Sequence, residues 1–360
     1  MNKIKVLIID DSSVIRGIVR EVLSGEQDIE VVGEAKDPLV AREQIKKLNP
    51  DVLTLDVEMP KMDGITFLNN LMRLRPMPVV MLSTLTTKGA DITLEALELG
   101  AVDFIAKPSF EELLASKNNF KAVLVEKVRS AAGVDQKNYK LNTTVVAESD
   151  KRVLSFTGCK RTNHLVAIGA STGGTEAIKK IITTLPSNSP PVVITLHIPE
   201  TFSARFAERM NENSAVNVQE ARHGQKIKEG NVYVAPGNKH LKVESKGGGL
   251  FCTLEDSEPV NRHKPAVDVL FESLIPIAAN VQAVLLTGMG SDGAKGLLNL
   301  KNNGAMTIIQ DKQTSLIWGM PGSAFALNAH IKQKPLTQIA KEILKYAAFD
   351  RNEMKKERDV

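Results

Sequence analysis

The sequence is poor in aromatic residues and cysteines, and it contains no long hydrophobic run. Aromatic residues make up 4% of the 360 residues, so we expect cores packed mainly from aliphatic side chains. The two cysteines, Cys159 and Cys252, are too few for a disulfide framework and lack metal-site spacing. A reducing compartment, the cytoplasm, is the simplest interpretation. No apolar stretch approaches the ~20 residues of a membrane-spanning helix, so direct membrane insertion is not expected.

The N-terminus and the overall charge exclude two further classes. The first apolar run is ended by Asp10 and Asp11, too early for a signal peptide. A formal net charge of +4 is too weak to indicate nucleic acid as a partner. The second half of the chain also lacks a helix-turn-helix pattern or an arginine-rich recognition stretch.

The first third of the chain alternates short aliphatic runs with stretches of helical periodicity. The predicted strands are Ile4–Ile9, Ile29–Glu34, Val52–Leu55, Val79–Leu82 and Val102–Ile105. The predicted helices include Val14–Leu23, Pro38–Leu48 and a closing helix at Phe120–Ala132. Five such units predict a parallel sheet covered by helices on both faces.

The alternation stops between Gly133 and Asn163, where the chain is polar and without sustained periodicity. A structureless stretch of this length inside one domain would be unusual, which favours a boundary here. We therefore predict a first domain at 1–132, a linker at 133–163, a second domain at 164–349 and a polar tail at 350–360.

The second domain resumes the same alternation. Buried strands are predicted at His164–Ile168, Val192–Leu196, Val281–Leu286 and Met306–Ile309, and short strands at Val232–Val234, His240–Glu244 and Phe251–Leu254. Helical patterns cover Thr175–Leu185, Ser203–Glu212, Pro265–Ile277 and Gly293–Asn302. The predicted fold class is therefore α/β, with two doubly wound parallel-sheet domains, the second a Rossmann-like three-layer domain.

Acids and a lysine follow the predicted strands of the first domain. Asp10 and Asp11 follow the first strand and Asp56 the third, while Ser83 and Lys107 follow the fourth and fifth. Residues just past the carboxyl ends of parallel strands converge on one rim of the sheet. Clustered carboxylates bind a hard cation such as Mg²⁺, which together with Lys107 would neutralise a phosphoryl group on Asp56. Helix capping explains Asp11 alone, but not all five positions together.

This region resembles the receiver domain of two-component response regulators over about residues 1–130. The resemblance rests on Asp10-Asp11, Leu55-Asp56-Val57-Glu58-Met59-Pro60, Asp63-Gly64, Ser83-Thr84 and Lys107-Pro108. It implies a flavodoxin-like strand order 2-1-3-4-5, phosphorylation of Asp56 by a sensor histidine kinase, and Mg²⁺ at Asp11 and Asp56. Ser83 and Phe104 would be the pair that responds to the phosphoryl group. Phe104 lacks the hydroxyl of the tyrosine that many receivers carry there.

A serine stands on a predicted strand-to-helix turn in the second domain. Gly169-Ala170-Ser171-Thr172-Gly173 fits the pattern G-x-S-x-G, which exposes a serine hydroxyl on a sharp turn. Backbone N–H groups of Thr172, Gly173 and Gly174 would point toward an anionic oxygen and form part of an oxyanion hole. The pattern alone is weak, because glycine-rich turns often serve packing. It is neither a P-loop nor the dinucleotide motif, since it lacks their lysine and second glycine.

His197 and Asp292 are the candidate partners of Ser171, because each follows a predicted buried strand. A serine nucleophile needs a base, and the base needs a group that orients it. Taken alone, His197 is as well explained by packing, and Asp292 by helix capping. A rival pattern, G-x-G-x-x-G over Gly288–Gly293 with Asp311 beyond it, would indicate a nucleotide-binding oxidoreductase.

Residues 164–347 resemble the catalytic domain of the chemotaxis protein-glutamate methylesterases, the CheB family. The matching stretches are Gly169–Gly174, His197-Ile198-Pro199, Phe202-Ser203, Ala235-Pro236-Gly237, Pro265–Asp268, Thr287–Gly293 and Gly319-Met320-Pro321. The resemblance implies a Ser171, His197 and Asp292 triad, with active-site backbone from Thr172, Gly173 and Met289. It implies hydrolysis of γ-glutamyl methyl esters on chemoreceptors, deamidation of receptor glutamines, and no cofactor in the catalytic domain.

The sequence as a whole therefore predicts a phosphorylation-activated serine hydrolase of the cytoplasm. Its expected partners are a chemotaxis histidine kinase as phosphodonor and methyl-accepting chemoreceptors as substrate, with Mg²⁺ needed for phosphorylation of the receiver. A response regulator whose output domain binds DNA is the alternative from another class.

Overall fold

Parallel strands alternate with helices through both halves of the chain. The computed structural model describes residues 3–59, 62–84, 86–107, 110–134 and 153–349. The chain divides into two compact units, Met1–Ser149 and Asp150–Val360. Within the described ranges, no helix is both long and apolar enough to cross a membrane.

The first unit is a five-stranded parallel sheet of order β2-β1-β3-β4-β5, which confirms the expected strand order. Its strands are β1 (Ile4–Ile9), β2 (Ile29–Ala35), β3 (Val52–Asp56), β4 (Val79–Ser83) and β5 (Asp103–Ala106). Its helices are α1 (Ser13–Ser24), α2 (Pro38–Leu48), α3 (Gly64–Leu74), α4 (Thr87–Glu98) and α5 (Phe110–Ala132). Strands β3 and β4 are buried along their whole length, because helices cover both faces.

Polar side chains fix where the helices of this unit begin. The side chains of Ser12, Asp37, Asp63 and Thr86 each accept a backbone N–H from the first turn of α1, α2, α3 and α4. Such caps satisfy N–H groups that the helix itself leaves unpaired. The caps of α1 and α3 also hold the loops after β1 and β3, where the acidic residues lie.

The second unit is built on a seven-stranded parallel sheet of order β14-β13-β12-β6-β7-β9-β8. Its strands are β6 (Leu165–Ala170), β7 (Val192–Leu196), β8 (Asn217–Glu220), β9 (Asn231–Val234), β12 (Val281–Leu285), β13 (Met306–Gln310) and β14 (Lys332–Lys334). A separate antiparallel hairpin joins β10 (His240–Lys246) to β11 (Gly249–Glu255). Strand β6 pairs with β12 on one side and β7 on the other, so the strand order reverses at β6. Open α/β sheets bind ligands at such a point.

Six α-helices and one 3₁₀ helix accompany the described part of this sheet. They are α6 (Gly174–Ile182), α7 (Glu200–Glu212), α8 (Val267–Ser273), the 3₁₀ helix Ile275–Asn280, α9 (Ala294–Asn302), α10 (Met320–Ala326) and α11 (Leu336–Ala348). The core packed by α8 and α9 takes alternate residues of the central strand, Leu165 and Ala167. Helix α6 contacts α7 and α11. The sheet thus lies between helices, as the predicted three-layer fold requires.

Part of the predicted linker packs on the second unit. Leu154 donates its N–H to Thr184, and Lys160 donates its N–H to Ala347. The Arg161 guanidinium stacks 4.3 Å above the Tyr346 ring. Residues 135–152 of the linker and the polar tail 350–360 lie outside the described residues, so the predicted domain bounds stay a prediction.

Candidate functional site

Ser171 lies on a tight turn between β6 and α6. Its N–H donates to the Thr287 carbonyl at 3.0 Å. Gly173, the N-cap residue before α6, has φ of 75°, in the left-handed region that favours glycine. A Cβ on Gly174 would lie 2.7 Å from the Ala170 Cβ, so a larger residue does not fit there. Gly174 donates its N–H to the Ser171 carbonyl at 2.6 Å. Its expected role as a donor to an anion is therefore wrong, because that N–H closes the turn.

The structure brings Ser171, His197 and Asp292 together in one line. Nδ1 of His197 lies 3.1 Å from Oγ of Ser171, and Nε2 lies 2.8 Å from Oδ2 of Asp292. The three residues follow β6, β7 and β12, the strands that meet where the order reverses. The two ring nitrogens are exchanged relative to the serine-protease template, in which Nε2 faces the serine. Either nitrogen can accept a proton while the other donates, so the arrangement is chemically equivalent.

Asp292 is buried and receives four hydrogen bonds. Besides His197, the donors are the N–H groups of Val267 at 2.6 Å and Asp268 at 3.2 Å, and the side-chain amide of Asn261 at 2.7 Å. Burial opposes ionisation, but the bonds from His197, Asn261 and Val267 outweigh it and lower the pKa of Asp292 to about 2. An ionised carboxylate therefore faces the imidazole.

Asp292 does not cap the helix that follows it. The N-cap of α9 is Gly293, which makes no side-chain capping bond. The capping interpretation of Asp292 is thus wrong for α9. The carboxylate instead accepts N–H groups at the start of α8, which comes from a distant part of the sequence.

A clamp around Thr287 supports the nucleophile turn. Its hydroxyl donates to the Thr172 carbonyl at 3.0 Å and accepts the Ile317 N–H at 2.9 Å. A Cβ on the next residue, Gly288, would lie 2.8 Å from the Ser171 Cβ. The backbone of Gly288 therefore lies against Ser171.

Contacts of Ser203 and Gly237 fix the loop that follows His197. Ser203 donates its hydroxyl to Glu220 at 2.6 Å and accepts the Gly237 N–H at 3.0 Å. A Cβ on Gly237 would lie 2.3 Å from the Pro199 carbonyl carbon and the Glu200 nitrogen. Only glycine allows this approach. The close packing fixes the loop that carries His197.

Sequence reasoning missed two residues beside the triad. Asn261 bonds both Asp292 and Asp268, at 2.7 and 2.8 Å. The ring of His263 stacks on that of His197, with centroids 3.7 Å apart. Both lie on a turn rather than at a strand end. The polar run Asn261-Arg262-His263-Lys264 before Pro265 is a turn signal, but it does not indicate what the turn contacts.

The residues of the rival nucleotide-binding pattern make contacts within the protein instead. Asp292, inside the glycine motif, faces His197. The Asp311 carboxylate accepts the N–H and hydroxyl of Thr314, at 3.0 and 2.6 Å, and so closes its own turn. The acid expected on a ribose is therefore engaged within the protein.

The first unit brings its predicted acids and lysine together. Oxygens of Asp10, Asp11 and Asp56 lie within 4.8 Å of one another. Nζ of Lys107 pairs with Asp10 at 2.8 Å and with Asp56 at 2.7 Å. Asp10 and Asp56 are buried, whereas Asp11 is exposed. Ser12, rather than Asp11, caps α1.

The pocket carries more negative charge than Lys107 balances. Burial raises the pKa of Asp56 to about 6, Asp10 adds to the rise, and the bond from Lys107 opposes it. Burial lowers the pKa of Lys107, but its bonds to the two acids outweigh this and the net change is upward. Among the described residues, Oδ2 of Asp56 is buried without a hydrogen-bond partner. Three carboxylates with an unpartnered oxygen fit a hard cation such as Mg²⁺.

Ser83 and Phe104 contact α4 and Lys127, respectively. The Ser83 hydroxyl lies 3.2 Å from the Gly89 carbonyl, in the first turns of α4. Phe104 is buried, and Nζ of Lys127 lies 5.5 Å from the centre of its ring. Ser83 therefore links the rim of the acidic pocket to α4.

The fold and the two sites define a response regulator whose second unit has the side-chain arrangement of a serine hydrolase. The family profile described as CheB methylesterase matches residues 166–343. The profile of the response regulator receiver domain matches residues 6–118. The chain belongs to the CheB methylesterase family. A receiver domain generally implies Mg²⁺-dependent phosphorylation by a histidine kinase.

Relatives of known name match along nearly the whole chain. The protein-glutamate methylesterase/protein-glutamine glutaminase of Hydrogenovibrio crunogenus is 48% identical, over 96% of this chain and 99% of the relative. The protein-glutamate methylesterase/protein-glutamine glutaminase 2 of Saccharophagus degradans is 50% identical, with the same shares covered. The crystal structure of the Thermotoga maritima CheB methylesterase catalytic domain is 36% identical, with TM-score 0.50. The match covers 52% of this chain and 100% of the Thermotoga maritima domain. These matches favour a hydrolase over a DNA-binding output domain.

Proposed function

We propose that this protein hydrolyses the γ-methyl esters of glutamate residues in chemoreceptors and deamidates receptor glutamines. The observation that carries the proposal is the bonded line from Ser171 through His197 to the ionised Asp292. Its relatives along the whole chain bear the name of this activity. A glutamyl ester and a glutamine differ only in the leaving group, so one acyl-transfer site serves both.

The reaction proceeds through an acyl-enzyme. Oγ of Ser171 attacks the ester carbonyl carbon while Nδ1 of His197 takes the hydroxyl proton. Nε2–H stays bonded to Asp292, whose charge stabilises the imidazolium. Collapse of the tetrahedral intermediate expels methoxide, which takes the proton from His197 and leaves as methanol. Water then attacks the acyl group with His197 as base, which frees the glutamate and restores Ser171.

Backbone N–H groups beside Ser171 stabilise the oxyanion of the tetrahedral intermediate. The candidates are Gly173, at the N-terminus of α6, Thr172, which follows Ser171 in the chain, and Met289, which follows Gly288. Gly174 is excluded because its N–H closes the turn. Donors placed where charge develops contribute on the order of 10²–10³ in rate.

Phosphorylation of Asp56 by a chemotaxis histidine kinase switches the activity on. Asp11 and Asp56 would hold Mg²⁺, which neutralises phosphoryl oxygens when bound. Lys107 supplies a second positive charge, since it already contacts Asp56. The phosphoryl group draws the Ser83 hydroxyl away from Gly89 and so alters the start of α4. In the unphosphorylated state the receiver keeps the hydrolytic activity low.

The reaction takes place in the cytoplasm, where the kinase and the receptor signalling domains are accessible. Cys159 and Cys252 are both free thiols, as a reducing compartment favours. The proposed substrate is a receptor segment rather than a small molecule, and no cofactor enters the hydrolytic step.

The test is release of methanol from membranes that carry receptors with radiolabelled methyl esters. The protein should release methanol, and a small-molecule phosphodonor with Mg²⁺ should increase the rate. Mass spectrometry of the same receptors should show conversion of glutamine to glutamate. Absence of methanol release from receptors that a known methylesterase demethylates would contradict the proposal.

A further inference from the structure

A tight turn at Val260–His263 lies against the catalytic residues. The N–H groups of Val260 and His263 each donate to the other residue's carbonyl, at 3.0 and 2.9 Å. Asn261 and Arg262, between them, have φ of 53° and 70°. Positive φ at both central residues is what a two-residue turn of type I′ requires. Arginine is uncommon in this region of φ, so the surroundings of the turn hold it in place.

Two side chains of this turn contact the triad. The Asn261 amide donates to Oδ1 of Asp292, the oxygen that His197 does not use. The imidazole of His263 covers the imidazole of His197, with ring centroids 3.7 Å apart and planes inclined by 13°. The turn thus supports both the orienting carboxylate and the base.

We propose that His263 is a positioning residue for His197, which it holds by stacking. This inference rests on the proposed function, because only a base that takes the Ser171 proton while it stays bonded to Asp292 needs such a constraint. The His197 ring must lie in one plane for Nδ1 to meet Ser171 and Nε2 to meet Asp292. A second ring in van der Waals contact with its face prevents it from tilting out of that plane.

The stack also favours the charged state that forms during the reaction. His197 becomes an imidazolium when it takes the serine proton. A cation over the face of an aromatic ring is stabilised, the more so where water is excluded. The His197 side chain is 8% exposed, so the stabilisation is not fully screened. An interaction that is stronger in the transition state than in the ground state raises kcat rather than affinity.

The charged groups near the two stacked rings bond other atoms, so the His263 ring is the neighbour on the face of the His197 ring. Asp292 meets His197 at the ring edge, through Nε2. Asp268 lies behind Asp292 and bonds Asn261 and Gly296. Lys264 pairs with Asp256 at 2.8 Å, and Arg262 is exposed. Among the described residues, the His263 ring alone stacks on the His197 ring.

The test compares two variants of the full chain, His263→Ala and His263→Phe. His263→Ala removes the stacked ring, whereas His263→Phe keeps an aromatic face that cannot be protonated. We expect His263→Ala to lower kcat for methanol release about tenfold, with KM within about twofold. His263→Phe should recover kcat to within about threefold of the parent. Labelling of Ser171 by a sulfonyl fluoride should slow in parallel, because it also needs His197 as base.

A matched control is His330→Ala. His330 also stacks on an aromatic ring in the second unit, that of Phe325 at 5.2 Å, and among the described residues no hydrogen bond or ring contact joins it to Ser171, His197 or Asp292. Its loss should leave kcat at the parent value. If His263→Ala does not fold, as judged by circular dichroism, His263→Gln replaces it with the same expected loss.

Two outcomes would overturn the role of His263. One is a folded His263→Ala protein with kcat within about twofold of the parent. The other is a folded His263→Phe protein as slow as His263→Ala, which would show that stacking is not the cause. In both cases an active, labelled parent leaves the proposed function standing. A parent that neither releases methanol nor is labelled at Ser171 would instead contradict the proposed function, and His263 with it.

Discussion

The Asp292 carboxylate accepts the N–H of Val267, the first residue of α8, at 2.6 Å. The same oxygen accepts the bond from Nε2 of His197. The residue that orients the base is therefore itself fixed by the start of a helix from another part of the chain. The positive end of that helix also favours the ionised carboxylate.

Asp292→Asn should lower turnover on the order of 10² or more, with receptor binding little changed. Donors approach both oxygens of Asp292, two to each. An asparagine has a single acceptor oxygen, so its NH₂ would face a donor and the imidazole would lose its orienting charge. Steady-state methanol release measures the change.

Asp268→Asn is the matched control for that experiment. Asp268 shares the Asn261 amide with Asp292 but bonds the Gly296 N–H rather than His197. Its change should reduce kcat by less than about tenfold. A rate for Asp292→Asn within about twofold of the parent would show that Asp292 serves the start of α8 and not the reaction.

The second unit should lose stability in mild acid because of His164. Burial lowers the pKa of His164 to about 4, and its bond to the Asn280 carbonyl only partly opposes this. Between about pH 6.5 and pH 4 the unfolded chain binds a proton that the folded chain does not. The free energy of unfolding should therefore fall as pH falls through this window, by roughly 3 kcal/mol at most.

Urea denaturation of the fragment Asp150–Val360 at several pH values measures this dependence. His164→Phe keeps a ring beside Tyr346 but cannot take a proton, so its stability should vary less between pH 6.5 and 4. His223→Phe, at an exposed ring, should keep the parent slope. An unchanged slope in His164→Phe would exclude His164 as the source.

If the unphosphorylated receiver inhibits the second unit, the fragment Asp150–Val360 should be more active than the unphosphorylated full chain. A tenfold difference corresponds to about 1.4 kcal/mol between the low-activity and the active state, a small difference for a two-state switch. Methanol release by the two proteins at equal concentration is the measurement. A fragment slower than the intact, unphosphorylated protein would mean that the receiver activates by direct contact.

Asp56→Asn should keep the full chain at its basal rate when phosphodonor and Mg²⁺ are added. The change removes the carboxylate that Lys107 contacts and that would carry the phosphoryl group. Asp51→Asn is the matched control. Asp51 lies just before β3, at the amino ends of the strands and away from the acidic pocket, and its carboxylate accepts the Lys5 N–H. Activation should persist in Asp51→Asn, and activation of Asp56→Asn would place the acceptor elsewhere.

The central strands of both sheets could be predicted because most of their residues are apolar and β-branched or aliphatic. Strand β7 was predicted at its observed bounds, since Val192–Leu196 lies between a proline pair and His197. The edge strands β8 (Asn217–Glu220) and β14 (Lys332–Lys334) were missed. Each pairs on one side only, and their polar composition carries no apolar alternation.

The triad residues could also be predicted from the sequence, whereas Asn261 and His263, which contact the triad, could not. Ser171, His197 and Asp292 follow strands of one parallel sheet, so a correct strand prediction already brings them to one rim. Asn261 and His263 reach the site from the turn before α8, and only the tertiary packing of the turn places them there. Sequence periodicity does not report such contacts.

Methanol release by Ser171→Ala is the most direct test of the central claim, that Ser171 is the nucleophile of a methylesterase. Its hydroxyl lies 3.1 Å from Nδ1 of His197, and removal of one partly exposed oxygen leaves no cavity. We expect a folded protein that phosphodonor no longer activates and whose turnover is lower by a factor on the order of 10³ or more. A folded Ser171→Ala protein with near-normal turnover would contradict the account.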